Sequence, residues 1–241
     1  MNPNKNSHPR KYKHLFFDLD RTLWDFETNN LESFTELYTH FDLQRKGIVD
    51  FDAFFKEYHV INYALWDEYK QQLITKEHLN FNRFYKTLKL FGIEDELLAT
   101  DMGKMYLHIS PQKKVLYPQT HELLDALSVH YTLHIITNGF EDVQYVKISN
   151  SDLDKYFKTI ITSEKAGYKK PAREIFEYAL AQTGAFPEDS LIIGDDSEAD
   201  IWGAHQAGWD QIWVKHLPLK PEMVKPTYSV DRVEEILTIL I

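Results

Sequence analysis

Residues 15–22 read Leu-Phe-Phe-Asp-Leu-Asp-Arg-Thr, and no other stretch of the chain says as much about its fold. The apolar and aromatic run from Tyr12 to Leu19 has the length and composition of a buried β-strand. Side chains two positions apart on a strand point to the same side, so Asp18 and Asp20 both emerge where this strand ends. Two neighbouring carboxylates repel each other, which indicates a bound cation or a chemical task. A polar turn is the simpler alternative for such a pair.

The composition limits the kind of protein that this chain can be. Its 241 residues, of which 43% are hydrophobic, suffice for one large domain or for a core with an inserted domain. The formal net charge of −10 argues against nucleic acid or an anionic membrane surface as the main partner. The chain has no apolar run of membrane-spanning length, no signal-peptide pattern and no cysteine. We therefore expect a soluble, cytoplasmic protein, and its oligomeric state is left open.

The chain divides into segments with different sequence patterns. Residues 1–11, which are rich in Asn, Lys, Pro and His, are predicted to form a disordered leader. Residues 25–112 carry apolar residues at helical spacing without an intervening strand pattern, which predicts an inserted all-helical domain. Residues 12–24 and 113–241 are assigned to the core, because strand and helix patterns alternate after Pro118. The predicted fold class is therefore α/β, a doubly wound parallel sheet with an inserted helical domain.

Polar residues follow other predicted strands besides the first. Thr137 and Asn138 end one apolar run, Asp195 follows another, and Asp200 lies about one helical turn later. Lys170 stands in a loop that precedes a predicted helix, and the neighbouring Lys169 is kept as the alternative lysine. Because the carboxyl ends of parallel strands meet at one edge of a sheet, we expect these side chains to lie near the first acid pair.

An acidic, oxygen-rich pocket of this kind favours Mg²⁺ over Zn²⁺, since the chain has no cysteine and no paired-histidine spacing. A metal ion and a lysine can neutralise a phosphate group, while one carboxylate attacks and a second one carries a proton. The residues therefore predict a Mg²⁺-dependent site for phosphoryl transfer.

The motifs resemble those of the haloacid dehalogenase-like phosphohydrolases, and they occur in that family's order. They are Asp18-Leu-Asp20-Arg-Thr22, Thr137-Asn138-Gly139, Lys170-Pro171 and Gly194-Asp195-Asp196-Ser-Glu-Ala-Asp200. The resemblance covers about 12–24 and 113–216, and it implies the family's Rossmann-like core. The helical segment 25–112 occupies the position of the family's C1 cap.

The resemblance implies a role for each motif residue. Asp18 would be the nucleophile that forms an aspartyl-phosphate. Asp20 would act as general acid for the leaving oxygen and then as general base for water. Thr137 and the backbone of Asn138 would hold the phosphoryl oxygens, and Lys170 would neutralise the charge of the phosphate and the nucleophile.

The same resemblance implies the metal ligands. Asp18, the main-chain carbonyl of Asp20, and Asp195 would bind Mg²⁺. Asp200 is expected either to reach the metal through water or to orient the lysine of the third motif. Asp196 stands where many relatives carry serine, and the choice between Asp196 and Asp200 as the acid that approaches the metal is left open.

Two longer stretches look closest to bacterial nucleotidases that act on pyrimidine nucleoside 5′-monophosphates. They are Thr137-Asn-Gly-Phe140 and Ser163-Glu-Lys-Ala-Gly167-Tyr-Lys-Lys-Pro171. The expected partner is thus a small phosphate monoester, and a nucleotide is favoured. Phosphatases of sugar phosphates or phosphoglycolate, and phosphomutases, are alternatives on the same fold. A hydrolytic dehalogenase lacks the proton-carrying acid, so Asp20 argues against it, and the motif order rejects a phospho-signalling receiver.

Overall fold

A computed structural model of the protein describes residues 11–215 and 222–241, so the predicted leader lies outside the described residues except for Lys11. The strands of the described part form a six-stranded sheet in which all neighbours are parallel. They are β1 (His14–Phe17), β2 (Thr132–Thr137), β3 (Phe157–Thr162), β4 (Ser190–Gly194), β5 (Asp210–Val214) and β6 (Tyr228–Val230). Their order, β3-β2-β1-β4-β5-β6, places β1 in the interior and confirms the predicted doubly wound sheet.

The central strands of the sheet are buried on both faces, which explains why they are apolar without alternation. Leu15, Phe16 and Phe17 of β1 are fully buried. On one face, Phe16 joins a cluster with Phe176 and Trp209. The helices that accompany the strands are α5 (Thr120–Ser128), α7 (Ser163–Ala166), α8 (Arg173–Thr183), α9 (Gly203–Gln206) and α10 (Ile236–Leu240).

The chain separates into two compact units. Among the described residues, one unit contains 11–25, 116–141, 152–215 and 222–241, and the other contains 26–115 and 142–151. The second unit is built from α1 (Phe26–His40), α2 (Phe51–Lys70), α3 (Lys76–Leu90), α4 (Glu96–Ile109) and nearly all of α6 (Glu141–Asn150). The sequence had assigned residues 142–151 to the core domain, whereas their contacts group them with the helical unit.

The helical unit has its own aromatic core and its own helix caps. Phe34, Tyr58 and Phe84 are fully buried there, and the rings of Phe34 and Tyr58 have centroids 4.0 Å apart. The side chains of Asp50, Thr75 and Asp95 each accept a hydrogen bond from a main-chain N–H in the first turn of α2, α3 and α4, respectively. Such caps satisfy donors that the helix itself leaves unpaired, so each helix begins at a defined residue.

In the part of the chain that is described, none of the helices combines the length and the apolar character needed to cross a membrane.

The buried His134 of β2 pairs with the half-buried His14 of β1. His134 is 1% exposed, and its Nε2 lies 3.0 Å from Nδ1 of His14. Burial lowers the pKa of His134 to about 3, and the charges of His14 and Lys158 act in the same direction. The ring of His134 also stacks on that of Phe16, with centroids 4.7 Å apart. The folded protein therefore holds this imidazole neutral.

Acidification should destabilise the fold through His134. An unfolded histidine has a pKa near 6.5 and binds a proton that the folded state excludes, so its contribution to stability is complete above about pH 7. That contribution is lost as the pH falls from 6.5 towards 3. For this group we expect the free energy of unfolding to fall by roughly 2 kcal/mol between pH 8 and pH 5. Urea unfolding of the wild type and of His134→Phe at both pH values measures the difference.

The His134→Phe variant should lose less stability than the wild type between the two pH values, because it has no proton to bind at this position. The exposed His130 provides the matched control, and His130→Gln should keep the wild-type dependence on pH. An equal loss of stability in the wild type and in His134→Phe would contradict the prediction.

Candidate active site

The predicted site residues meet where β1, β2 and β4 end. Phe17 is aligned with Ile135 of β2 and with Ile193 of β4, and the main-chain N–H of Asp18 donates to the Ile193 carbonyl at 2.9 Å. This register brings Asp18 level with the ends of both neighbouring strands. Thr137 is the last residue of β2 and is buried. The acid pair at the end of the first strand thus lies at the carboxyl edge of the sheet, as expected for ligand sites in such folds.

The side chain of Lys170 connects these strand ends. Its Nζ donates to Oδ1 of Asp18 at 2.8 Å, to Oδ1 of Asp200 at 2.5 Å and to the main-chain carbonyl of Ile136 at 2.8 Å. An ammonium group has three protons, and each of them has an acceptor here. Lys170 is 1% exposed, so these contacts also compensate the cost of burying its charge.

Asn138 holds the backbone of Lys170. Its Nδ2 donates to the Lys170 carbonyl at 2.8 Å, and its Oδ1 accepts from the Lys170 N–H, also at 2.8 Å. The peptide bond between Lys170 and Pro171 is cis. A Cβ at Gly203 would lie 2.8 Å from Cα of Pro171, so only glycine allows this close approach. Lys170 is the lysine of this loop that contacts Asp18 and Asp200. Burial lowers the pKa of the half-buried Lys169, and the charge of Glu164 opposes that shift.

The carboxylates of Asp18, Asp195 and Asp200 form one group, in which the candidate ligand oxygens all lie within 4.8 Å of one another. Asp200 belongs to this group and also contacts Lys170, and the resemblance had offered it two roles, a contact with the metal through water or the orientation of this lysine. The direct metal ligands implied by the resemblance were Asp18, Asp195 and the main-chain carbonyl of Asp20. Asp20 lies half-buried in the loop after Asp18 and forms a backbone bridge with Trp24.

The buried negative charge of this group exceeds the positive charge of Lys170. Burial raises the pKa of Asp18 to about 7, against the charge of Lys170 and with the charges of Asp200 and Asp20. Burial also raises the pKa of Asp200, and that of Asp195 well above its usual range, where the charges of Asp18 and Asp200 add to the effect. Burial would lower the pKa of Lys170, but the charges of Asp18 and Asp200 raise it.

This donor set fits a hard divalent cation. Carboxylate oxygens are the ligands that Mg²⁺ and Ca²⁺ prefer, and a dication would favour the ionised form of these acids, which burial and their mutual repulsion disfavour. Mg²⁺ needs only one or two protein carboxylates, because it keeps water and substrate oxygens as its other ligands.

The last acidic motif is held by its own local contacts. Oδ1 of Asp196 accepts from the N–H groups of Glu198 and Ala199 at 2.9 and 3.0 Å, so Asp196 caps the π-helical segment Ser197–Trp202. Asp200 lies inside that segment, and its Oδ2 accepts from the Asp196 N–H at 3.1 Å. Its two carboxylate oxygens therefore have different partners, Lys170 on one side and this N–H on the other.

Three residues to which the sequence assigned no role also contribute to the site, namely Gly194, Thr22 and Trp213. A Cβ at position 194 would lie 2.3 Å from Oδ2 of Asp200, so Gly194 makes room for that carboxylate. The indole N–H of Trp213 donates to the Asp195 carbonyl at 2.8 Å, and Oγ1 of Thr22 lies 3.5 Å from Oδ1 of Asp195. Gly194 and Thr22 belong to quoted motifs, whereas Trp213 is an apolar strand residue whose contact carries no sequence signal.

Comparisons with known proteins agree with this fold and with these motifs. Residues 15–214 match the family model described as haloacid dehalogenase-like hydrolase. The pyrimidine 5′-nucleotidase PynA of Streptococcus pneumoniae is 33% identical, with 95% of both chains covered. The pyrimidine 5′-nucleotidase YjjG of Escherichia coli is also 33% identical, over 94% of this chain and 96% of that protein.

A solved structure agrees as well. The crystal structure of YfnB from Bacillus subtilis, described as bound to magnesium, matches with a TM-score of 0.84 and 30% identity over 96% of this chain and 99% of that one. Because the family model spans most of the sequence and these relatives match almost end to end, the chain belongs to the haloacid dehalogenase-like hydrolase family.

Proposed function

We propose that the protein is a Mg²⁺-dependent phosphomonoesterase that works through an aspartyl-phosphate and acts on pyrimidine nucleoside 5′-monophosphates. The observation that carries the proposal is the contact of the buried Lys170 ammonium with both Asp18 and Asp200, beside Asp195. Nucleophile and substrate are both anionic, so attack by a carboxylate on a phosphate dianion requires cations beside the nucleophile. Asp18 contacts one cation, the Lys170 ammonium, and it belongs to a carboxylate group that suits a second, divalent one.

In the first step, an Oδ atom of Asp18 attacks phosphorus. A new O–P bond forms, the bond from phosphorus to the ester oxygen breaks, and that oxygen leaves with a proton from Asp20. Asp20 is assigned the transfer of this proton because it lies two residues after the nucleophile and is half-buried. Asp18 itself is in contact with Lys170 and serves as the nucleophile. The Lys170 charge opposes the repulsion between the carboxylate and the incoming phosphate.

In the second step, water attacks the phosphorus of the aspartyl-phosphate. Asp20, now ionised, takes a proton from this water, and the O–P bond to Asp18 breaks to release inorganic phosphate. Thr137 and the N–H groups of the turn that begins at Asn138 are assigned to the phosphoryl oxygens. The Thr137 hydroxyl already accepts from the Gly139 N–H at 3.1 Å, and its own proton is left to point at a phosphate oxygen.

Asp18, Asp195 and the main-chain carbonyl of Asp20 are the proposed holders of Mg²⁺, with Asp200 in support through Lys170. The bound ion would supply the positive charge that these carboxylates lack and would polarise the phosphoryl group.

The choice of a pyrimidine nucleotide rests on PynA and YjjG, both named pyrimidine 5′-nucleotidases, and on the second and third motifs. The experiment that tests it is a screen of phosphate release, with Mg²⁺, over pyrimidine and purine nucleoside 5′-monophosphates, sugar phosphates and phosphoglycolate. We expect the highest kcat/KM for dUMP, dTMP or UMP. A preference for sugar phosphates or phosphoglycolate would contradict the substrate class while leaving the phosphatase assignment in place.

Replacing Asp20 with asparagine should separate the two chemical steps. With p-nitrophenyl phosphate, whose leaving group departs without a proton, Asp20→Asn should release about one equivalent of nitrophenolate rapidly and then turn over about 10²–10⁴-fold more slowly than the wild type. Stopped-flow absorbance measures the burst, and acid quenching traps the phosphorylated protein.

Two comparisons make this experiment decisive. Asp18→Asn removes the nucleophile and should show neither burst nor turnover, because an amide does not form an aspartyl-phosphate. Substantial Mg²⁺-dependent turnover by Asp18→Asn, or wild-type steady-state rates in Asp20→Asn, would contradict the assigned roles.

Removal of the divalent metal should abolish the phosphatase activity of the protein. EDTA followed by dialysis should abolish phosphate release, and added Mg²⁺ should restore it. Calorimetric titration of Mg²⁺ into the metal-free protein should give a Kd at least about tenfold weaker for Asp195→Asn than for the wild type, because a carboxylate ligand is lost. The exposed Asp125 is the matched control, and Asp125→Asn should bind Mg²⁺ like the wild type. Metal-independent hydrolysis would contradict the proposal.

A further inference from the structure

The turn that follows β2 carries the main-chain N–H groups that the proposed function assigns to the phosphoryl oxygens. It consists of residues 138–140, and α6 begins directly after it at Glu141. Inside the turn, the Gly139 N–H donates to the Thr137 hydroxyl at 3.1 Å. Main-chain N–H groups bind an anion well when they are already held in one orientation before it arrives. The contacts that hold this turn therefore bear on the affinity for phosphate.

The carboxyl-terminal end of the turn is held by a side chain from another segment. The Glu141 N–H donates to Oε2 of Glu164 at 2.7 Å, and Glu164 lies in the short helix α7, 23 positions later in the chain. The first N–H groups of a helix have no acceptor within that helix, and the helix dipole favours a carboxylate at this end. Glu164 thus supplies the acceptor that α6 itself cannot provide.

Neighbours of Glu164 bind the same turn. Oγ1 of Thr162 donates to Oε2 of Glu141 at 3.3 Å, and Oγ of Ser163 donates to the Asn138 carbonyl at 3.4 Å. The Glu164 contact is shorter than both, and its acceptor is a carboxylate, which makes it the strongest of the three. The turn is therefore held from the end of β3 and from α7, and Glu164 provides the main contact at Glu141.

Glu164 is exposed, whereas Thr162 and Ser163 are buried. Truncation of an exposed side chain leaves no cavity in the core, so its effect on the stability of the whole protein is small. Loss of the Glu164 carboxylate should therefore act locally, on the hydrogen bond to Glu141.

We propose that Glu164 is a positioning residue for phosphate binding: its carboxylate holds the main chain at Glu141 and thereby the orientation of the N–H groups in the turn 138–140. The inference rests on the proposed function, since it takes this turn as the one that binds the phosphoryl oxygens. Glu164 contacts neither substrate nor metal in this proposal, and it acts through the main chain of Glu141.

The test compares the wild type with Glu164→Ala, which removes the acceptor, and with Glu164→Gln, which keeps an acceptor oxygen at the same length but loses the charge. Glu174→Ala is the matched control, because Glu174 is an exposed glutamate in the first turn of α8 and its removal changes the net charge equally.

Three quantities are measured for each protein. They are kcat and KM for p-nitrophenyl phosphate at saturating Mg²⁺, the inhibition constant of inorganic phosphate, and the hydrogen-exchange rate of the Glu141 amide by NMR spectroscopy. The exchange rate reports on the contact itself and does not depend on the activity of the protein.

Glu164→Ala should weaken phosphate binding without slowing the chemical steps. We expect KM and the inhibition constant of phosphate to rise about fivefold and kcat to change less than about twofold, because a contact that serves the bound substrate and the transition state equally changes KM alone. The Glu141 amide should exchange about tenfold faster, since its acceptor is lost. Glu164→Gln and Glu174→Ala should stay within about twofold of the wild type in all these quantities.

Three results would overturn the inference. The first is an unchanged KM and an unchanged phosphate inhibition in Glu164→Ala. The second is an equal increase of KM in Glu164→Ala and Glu164→Gln, which would assign the effect to the charge and not to the hydrogen bond. The third is a loss of kcat together with a lower melting temperature in Glu164→Ala, which would indicate a general structural role.

Failure of this inference is distinct from failure of the proposed function. If the wild type hydrolyses phosphate monoesters with Mg²⁺ and Glu164→Ala behaves identically, only the role of Glu164 is rejected. If the wild type hydrolyses none of them, the proposed function is rejected and the role of Glu164 in phosphate binding is rejected with it.

Discussion

The site depends on one interaction, the ammonium group of Lys170 enclosed by the carboxylates of Asp18 and Asp200. A buried charge is expensive unless it is paired and hydrogen-bonded, and here every proton of the ammonium has an acceptor at 2.8 Å or less. The neighbouring structure serves this cluster. Asn138 fixes the lysine backbone through two hydrogen bonds, and Gly194 leaves the space that the Asp200 carboxylate occupies.

The same cluster explains what the site can bind. One ammonium does not balance the carboxylates of Asp18, Asp195 and Asp200, and burial, together with the charges of neighbouring carboxylates, raises the pKa of each of these acids. In the proposed function, a divalent cation would remove the excess, and a phosphate dianion would then meet a site that is close to neutral. The need to balance these charges would thus favour both the proposed metal and the proposed class of substrate.

The α/β unit contains all the site residues assigned here, whereas the helical unit has a separate aromatic core and capped helices. The periodic apolar pattern of residues 25–112 was sufficient to predict the helices. In the structure, the side chains of Asp50, Thr75 and Asp95 cap three of them. The edge strand β6 was harder to foresee, because it is three residues long and two of them are exposed. The grouping of residues 142–151 with the helical unit depends on packing, and the sequence contains no periodic signal for it.

Local pattern alone established the parallel α/β fold and the acids at the end of β1, because periodicity along the chain controls which residues stand at strand ends. The resemblance to a known family supplied the roles of the four motifs. Contacts between distant parts of the chain decided the rest. Lys170 and not Lys169 reaches Asp18, although 152 positions separate the partners. Asp196 is turned to its own helix while Asp200 joins the carboxylate group. These outcomes depend on the register of parallel strands and on the direction of each loop, which only the folded chain defines.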